Sequence, residues 1–200
     1  MTARRASKRR PLLKALLLTP GAGSDRNHRA LVAIEDSLVP DGVIVRRVDF
    51  PYRRAGRRAP DRAPVLLECI RSEAAALCEE VGISPSELAM GGRSMGGRIC
   101  SMAVASGLVP AGGLVLVSYP LHPPGKPEKS RVEHLGDISV PVLAVSGTRD
   151  SFGTPKELEE AFARIPGAVT THWIDRGTHE LKGADAEVAA AVHQWWTARH

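Results

Sequence analysis

Aromatic residues are scarce in this chain, at 4% of 200 residues, and there are only three cysteines. With so few rings the core has to be built from Leu, Val, Ile and Ala. An aromatic stacking platform for single-stranded nucleic acid is not expected, so no nucleic-acid partner is. No apolar run approaches the roughly 20 residues that cross a bilayer, and no membrane partner is expected either. Cys69, Cys78 and Cys100 form no C-x-x-C pair and no zinc-like spacing with histidine. They read as buried thiols in a reduced cytoplasm, with no metal implied. The rest of the composition, 43% hydrophobic and 24% charged, excludes a disordered chain and a collagen-like repeat and fits a single domain.

Acidic residues are missing from one place. Residues 1–10 carry Arg4, Arg5, Lys8, Arg9 and Arg10 and no acid, whereas the remainder holds 22 basic and 22 acidic residues. The net charge of +5 therefore belongs to a basic flexible tail over residues 1–11, and not to a binding face of the domain over 12–200. Arg9-Arg10-Pro11 is similar to a twin-arginine export signal, but the apolar stretch Ala15–Leu18 is too short for an h-region of about 7–15 residues and no small-residue cleavage site follows. A first buried strand is the better reading of those residues.

Short apolar runs alternate with helical patterns along the rest of the chain. Strands are expected over Leu12–Thr19, Gly42–Phe50, Glu87–Gly91, Gly112–Ser118, Val140–Ser146 and Ala168–Ile174. Between them, Asp25 is expected to cap a helix carrying Leu31, Ile34 and Leu38, and Pro64 to open one through Leu77. Further helices are expected over Met95–Ser106, Pro155–Ile165 and Ala184–Ala198. Residues 52–58 read as an exposed basic loop and 119–139 as loop. Strands without polar alternation, each followed by a helix, indicate an α/β domain: a parallel sheet covered by helices on both faces.

Gly92-Arg93-Ser94-Met95-Gly96 matches G-x-S-x-G, just after an expected strand and opening an expected helix. A nucleophile elbow requires that context, with glycines beside a strained serine. A serine hydroxyl needs a base, and the base needs an orienting acid, in the chain order Ser, Asp or Glu, His. Asp150 follows the fifth strand and His179 the sixth, so all three project from the carboxyl ends of strands. Asp175 is the competing acid. Ser118-Tyr119-Pro120, after the fourth strand, offers none. His28, His172, His193 and His200 lack comparable context and read as surface residues.

Gly91–Arg98 (GGRSMGGR) and Ser118–Lys129 (SYPLHPPGKPEK) resemble the α/β-hydrolase superfamily in its small, lidless, dienelactone-hydrolase-like form. The likeness is to the branch that includes the third subunit of the NSL chromatin complex and a testis-expressed hydrolase-like protein. The resemblance covers about residues 12–198. It implies six mostly parallel strands in the order 2-1-3-4-5-6, without the family's first two strands and without a large lid. It also implies an oxyanion hole from the backbone N–H of Met95 and of Ala22, with Gly23 next in line. Pro20 departs from the His-Gly common in the family at 20–21. His122, in the connection where relatives insert lids, is a candidate pocket residue.

The expected function is a serine hydrolase acting on a small-molecule ester, thioester or related acyl substrate, with no cofactor. The alternative is a hydrolase-like interaction protein that keeps the fold without turnover, since fold does not imply function. A nucleotide-binding reading of Gly21-x-Gly23 with Asp49 fails at position 26, where Arg26 stands in place of a third glycine.

Overall fold

The computed structural model describes residues 12–199; the expected basic tail over 1–11, with its paired arginines, and His200 lie outside the described residues. Six strands appear: β1 (Ala15–Thr19), β2 (Ile44–Arg47), β3 (Leu88–Arg93), β4 (Gly113–Val117), β5 (Val142–Gly147) and β6 (Val169–Ile174). They form one sheet in the order β2-β1-β3-β4-β5-β6, and every neighbouring pair is parallel. The four inner strands are buried along their whole length, whereas the edge strands β2 and β6 are partly exposed. Burial on both faces is why the inner strands show no polar alternation.

Successive residues of each strand serve opposite faces. Leu17, Met90, Leu116 and Ala144 pack under α3 (Ala63–Val81), α4 (Met95–Ala105) and α5 (Pro155–Phe162), which contribute Leu66, Ile70, Ile99 and Leu158. Leu16, Leu18, Val115 and Val145 face α1 (Arg29–Leu38) and α6 (Asp185–Thr197), which contribute Leu31, Ile34, Val192 and Trp195. The three cysteines are free and buried. Burial pushes the Cys100 thiol up to about 12, which keeps it protonated at neutral pH.

Two local expectations are corrected. His28, not Asp25, is the N-cap of α1, accepting from the Ala30 N–H at Nδ1. Asp25 is spent one turn earlier, where its Oδ1 accepts from the Asn27 N–H at 2.8 Å. The basic stretch 52–58 is not wholly an exposed loop: Pro51–Arg54 is a helical turn, α2, and Tyr52 is fully buried. Pro51 at the first helical position starts that turn. The arginines there meet carboxylates, Arg53 with Asp25, Arg54 with Glu73 and Arg57 with Asp61.

The connection from β4 to β5 holds two one-turn 3-10 helices, Pro127–Lys129 and Leu135–Asp137. It is tied to α4 at His134. Ser101 Oγ donates to the Arg98 carbonyl and so accepts from His134 Nε2–H, at 2.7 Å in each case. Burial first, and the Arg98 charge second, lower the His134 pKa below its ordinary 6.5. The unfolded chain therefore takes up a proton that the fold resists. This contribution is complete above about pH 6.5 and is lost as pH falls through the lowered value. His28, lowered by burial and by Arg93, acts in the same direction. The denaturation midpoint is expected to drop as pH falls below about 6.5. His134→Gln should flatten that slope in part, measured by urea titration at each pH.

Candidate active site

Three strand ends carry the site. Ser94 sits between β3 and α4 with φ 50 and ψ −118, a conformation that L-residues avoid. Its backbone N–H is held by the Val117 carbonyl of β4 at 2.8 Å. The turn exists only because Gly92 and Gly96, two residues to either side, lack side chains. A Cβ at Gly92 would stand 2.2 Å from the Thr19 carbonyl oxygen, and one at Gly96 2.5 Å from the same atom.

The loops after β5 and β6 are laced together. Arg149 N–H donates to the Gly177 carbonyl at 2.8 Å, Thr148 N–H to the Ile174 carbonyl at 3.0 Å, and Arg176 N–H to Thr148 Oγ1 at 2.8 Å. A Cβ at Gly147 would lie 2.1 Å from the Gly177 carbonyl oxygen, so both glycines serve the close approach. The lacing brings Asp150 and His179 together.

His179 Nδ1 lies 2.8 Å from Asp150 Oδ2 and 3.0 Å from Oδ1, and His179 Nε2 lies 2.8 Å from Ser94 Oγ. An ionised carboxylate only accepts, so Nδ1 carries the proton and Nε2 presents its lone pair to the serine O–H. Asp150 has no side-chain exposure and His179 only 12%. Asp150 Oδ1 also accepts from the Phe152 N–H at 2.8 Å, and the Phe152 ring stacks on the imidazole with centroids 4.0 Å apart. Both side chains are thus fixed in orientation.

The cleft above Ser94 measures about 460 Å³. Ala22 and Gly23 line it beside Met95, His179 and Phe152. Met95 is the first residue of α4, where the helix offers its N–H no acceptor of its own. Ala22 is held from behind: buried Tyr52 donates its hydroxyl to the Ala22 carbonyl at 3.0 Å. Pro20 is buried at the end of β1, its carbonyl oxygen facing Gly96.

Several residues of the cleft escaped the sequence reading. Arg93, directly before the serine, is buried, donates to the His179 carbonyl at 3.0 Å and pairs with Glu180 at 2.7 Å. It anchors the loop that carries His179. Its one signal was an arginine inside a glycine-rich motif. Arg98 and Pro120, which lie within the motifs over 91–98 and 118–129 without being given a role there, also line the cleft, as do Phe152 and Arg131, which no pattern in the chain marked.

His122 does not join them. Its backbone N–H is held by the Phe152 carbonyl at 3.0 Å, while its ring contacts the Pro123 carbonyl and Glu157, in a separate depression lined by Ser130 and Arg164. The rival acid Asp175 is exposed and pairs with Arg176 at 3.3 Å. His172 and His193 meet Glu187 and Asp41 at the surface. The Asp49 carboxylate accepts from the Arg26 N–H at 2.7 Å, which occupies the group a ribose would need. Among the described residues no group of three or more His, Cys, Asp or Glu side chains could hold a metal ion, and no helix is long and apolar enough to cross a membrane.

A family model described as an alpha/beta hydrolase domain matches residues 13–198. Among solved structures, the chain is similar to Est1E from Butyrivibrio proteoclasticus. The identity is 18% and the TM-score 0.71, covering 96% of this chain and 90% of that one. It is similar to an alpha-beta serine hydrolase homologue from Coxiella burnetii at 15% identity and a TM-score of 0.74, covering 92% and 86%. A dienelactone hydrolase from Anabaena variabilis matches at 18% identity and a TM-score of 0.72, covering 94% and 87%. At these identities the likeness is one of fold.

Proposed function

The chain belongs to the alpha/beta hydrolase domain family, and on that premise we propose that it is a serine hydrolase cleaving an ester, thioester or related acyl compound. The observation that carries this reading is the unbroken hydrogen-bond chain from Asp150 through His179 to Ser94. In the proposed reaction Ser94 Oγ attacks the substrate carbonyl while its proton passes to His179 Nε2. Asp150 holds the imidazole and stabilises the imidazolium. The Met95 and Ala22 N–H groups receive the oxyanion. His179 then gives its proton to the leaving group, and water, activated by the same histidine, releases the acid from the acyl-enzyme.

The solved serine hydrolase homologue and dienelactone hydrolase support this reading through their shared fold. We assign the chain to the small dienelactone-hydrolase-like form because its β4–β5 connection carries only two one-turn helices. Residues 91–98 and 118–129 favour the branch of the third NSL-complex subunit within it. The buried free thiols favour the cytoplasm.

The mechanism requires a covalent intermediate. Protein quenched during turnover of 4-nitrophenyl acetate is expected to gain one acetyl group on the peptide containing Ser94, read by mass spectrometry. Turnover with acetyl on another residue, or with none, contradicts it.

Tyr52 is a positioning residue in this account. It fixes the peptide joining Ala22 to Gly23, and hence the loop that supplies the second oxyanion donor. Tyr52→Phe is expected to lower kcat about tenfold with little change in KM, because a loosened donor is lost mainly in the transition state. A merely structural hydroxyl would move the melting temperature and leave kcat alone.

A further inference from the structure

The cleft is cationic in a way that the reaction itself does not use. It is lined by Arg93, Arg98 and Arg131 against a single acid, Glu180, and Arg93 takes that acid at 2.7 Å. None of the ion pairs among the described residues includes Arg98 or Arg131. Arg98 stands in the first turn of α4, its backbone N–H donating to the Ser94 carbonyl at 3.1 Å, and both residues line the same cleft. Its Nε is buried with no partner among the described residues.

Arg131 is held as a fixed part of the wall. Its N–H donates to the Leu121 carbonyl at 2.8 Å, its carbonyl accepts from Tyr119 Oη at 2.8 Å, and one guanidinium nitrogen donates to the Pro120 carbonyl at 3.0 Å. The remaining guanidinium donors are left for something else. Burial and the charge of Arg98 both lower the Arg131 pKa, which places the two cations in each other's field. Two partly desolvated cations lining one cleft are costly unless an anion completes the site.

We propose that Arg98 and Arg131 form an anion subsite of the active-site cleft, and that the substrate is an ester or thioester carrying a carboxylate within reach of it. This rests on the serine hydrolase reading and names its substrate class. A guanidinium pair suits a carboxylate, whose two oxygens can take parallel N–H donors.

Matched esters differing only in charge test the proposal. The half-ester of adipic acid with 4-nitrophenol is compared with its methyl ester, which places the charge on the acyl side. Likewise 4-acetoxybenzoate is compared with its methyl ester, which places it on the alcohol side. The anionic member of one pair is expected to have a kcat/KM higher by about tenfold or more, and that pair identifies the side that meets the arginines. Arg98→Gln and Arg131→Gln should each pull the ratio toward one, whereas Lys126→Gln, an exposed cation in the same connection, should leave it in place. A wild-type ratio near one in both pairs, or a ratio that survives both arginine variants, overturns the subsite. Ser94-dependent cleavage of the neutral esters would then still uphold the hydrolase reading. Should no ester be turned over, calorimetric titration with adipate decides separately. Binding that is lost in Arg131→Gln supports the subsite, and absence of binding to the wild type overturns it.

Discussion

Replacing Ser94 by Ala is expected to lower kcat for 4-nitrophenyl acetate by roughly 10⁶-fold, and Asp150→Asn by about 10⁴-fold. The two figures differ for a structural reason. In the proposed mechanism Ser94 supplies the bond-forming atom, and without it only the proposed oxyanion donors and the cleft remain. Asp150→Asn keeps the shape of the site but offers an amide where the Nδ1 proton of His179 needs an acceptor. Asn can turn its N–H₂ toward the ring and force the proton onto Nε2, which then no longer accepts from Ser94. The double variant is expected to be no slower than Ser94→Ala alone, because the acid acts only through the base and the nucleophile. Steady-state rates on the three variants check this. An Asp150→Asn enzyme within tenfold of the wild type would remove the acid from the mechanism.

The second large effect is on folding. Gly92→Ala is expected to destabilise the protein by about 3 kcal/mol or more, or to prevent its accumulation as a folded species. The new Cβ would stand 2.2 Å from the Thr19 carbonyl oxygen and 2.6 Å from Thr19 Oγ1. Thr19 and Gly92 are register partners across the parallel pair β1–β3, so the clash is with backbone at the centre of the sheet. No rotamer change relieves it. Gly23 is the contrast: nothing lies within 4 Å of a Cβ built there, and Gly23→Ala should melt within error of the wild type. Denaturant midpoints of the two variants provide the test, and a Gly92→Ala protein as stable as Gly23→Ala would contradict the elbow's packing.

How much of this was visible in the chain depends on where each signal lies. The six strands were legible because the inner ones are buried on both faces and so read as unbroken apolar runs. Their order was not; it came from the likeness of 91–98 and 118–129 to a known fold. Ser94, Asp150 and His179, which the structure brings within hydrogen-bond reach of one another, could be singled out because they follow strands in a fixed chain order. Tyr52 and Arg131 did not, since each works through an atom contributed by a distant or unpatterned segment, Ala22 in one case and Pro120 in the other. Tyr52 was hidden among arginines whose charges are cancelled only in three dimensions. His122 reads as a pocket candidate from its place in the connection where relatives insert lids, and Pro120 of that connection does line the cleft. The Phe152 carbonyl holds the His122 backbone, and the ring lies with Glu157 in the neighbouring depression. His28 escaped as a helix cap because imidazole is an uncommon one.

The central claim is that Ser94 is activated by His179. Labelling of the purified protein with a fluorophosphonate probe, beside the Ser94→Ala variant and a heat-denatured sample, tests it most directly. The account predicts labelling of the folded wild type at Ser94, lost in the variant and lost on denaturation. A folded wild type that takes up no label, or a variant labelled as strongly as the wild type, would contradict it and turn the search toward a protein that uses this fold to bind partners.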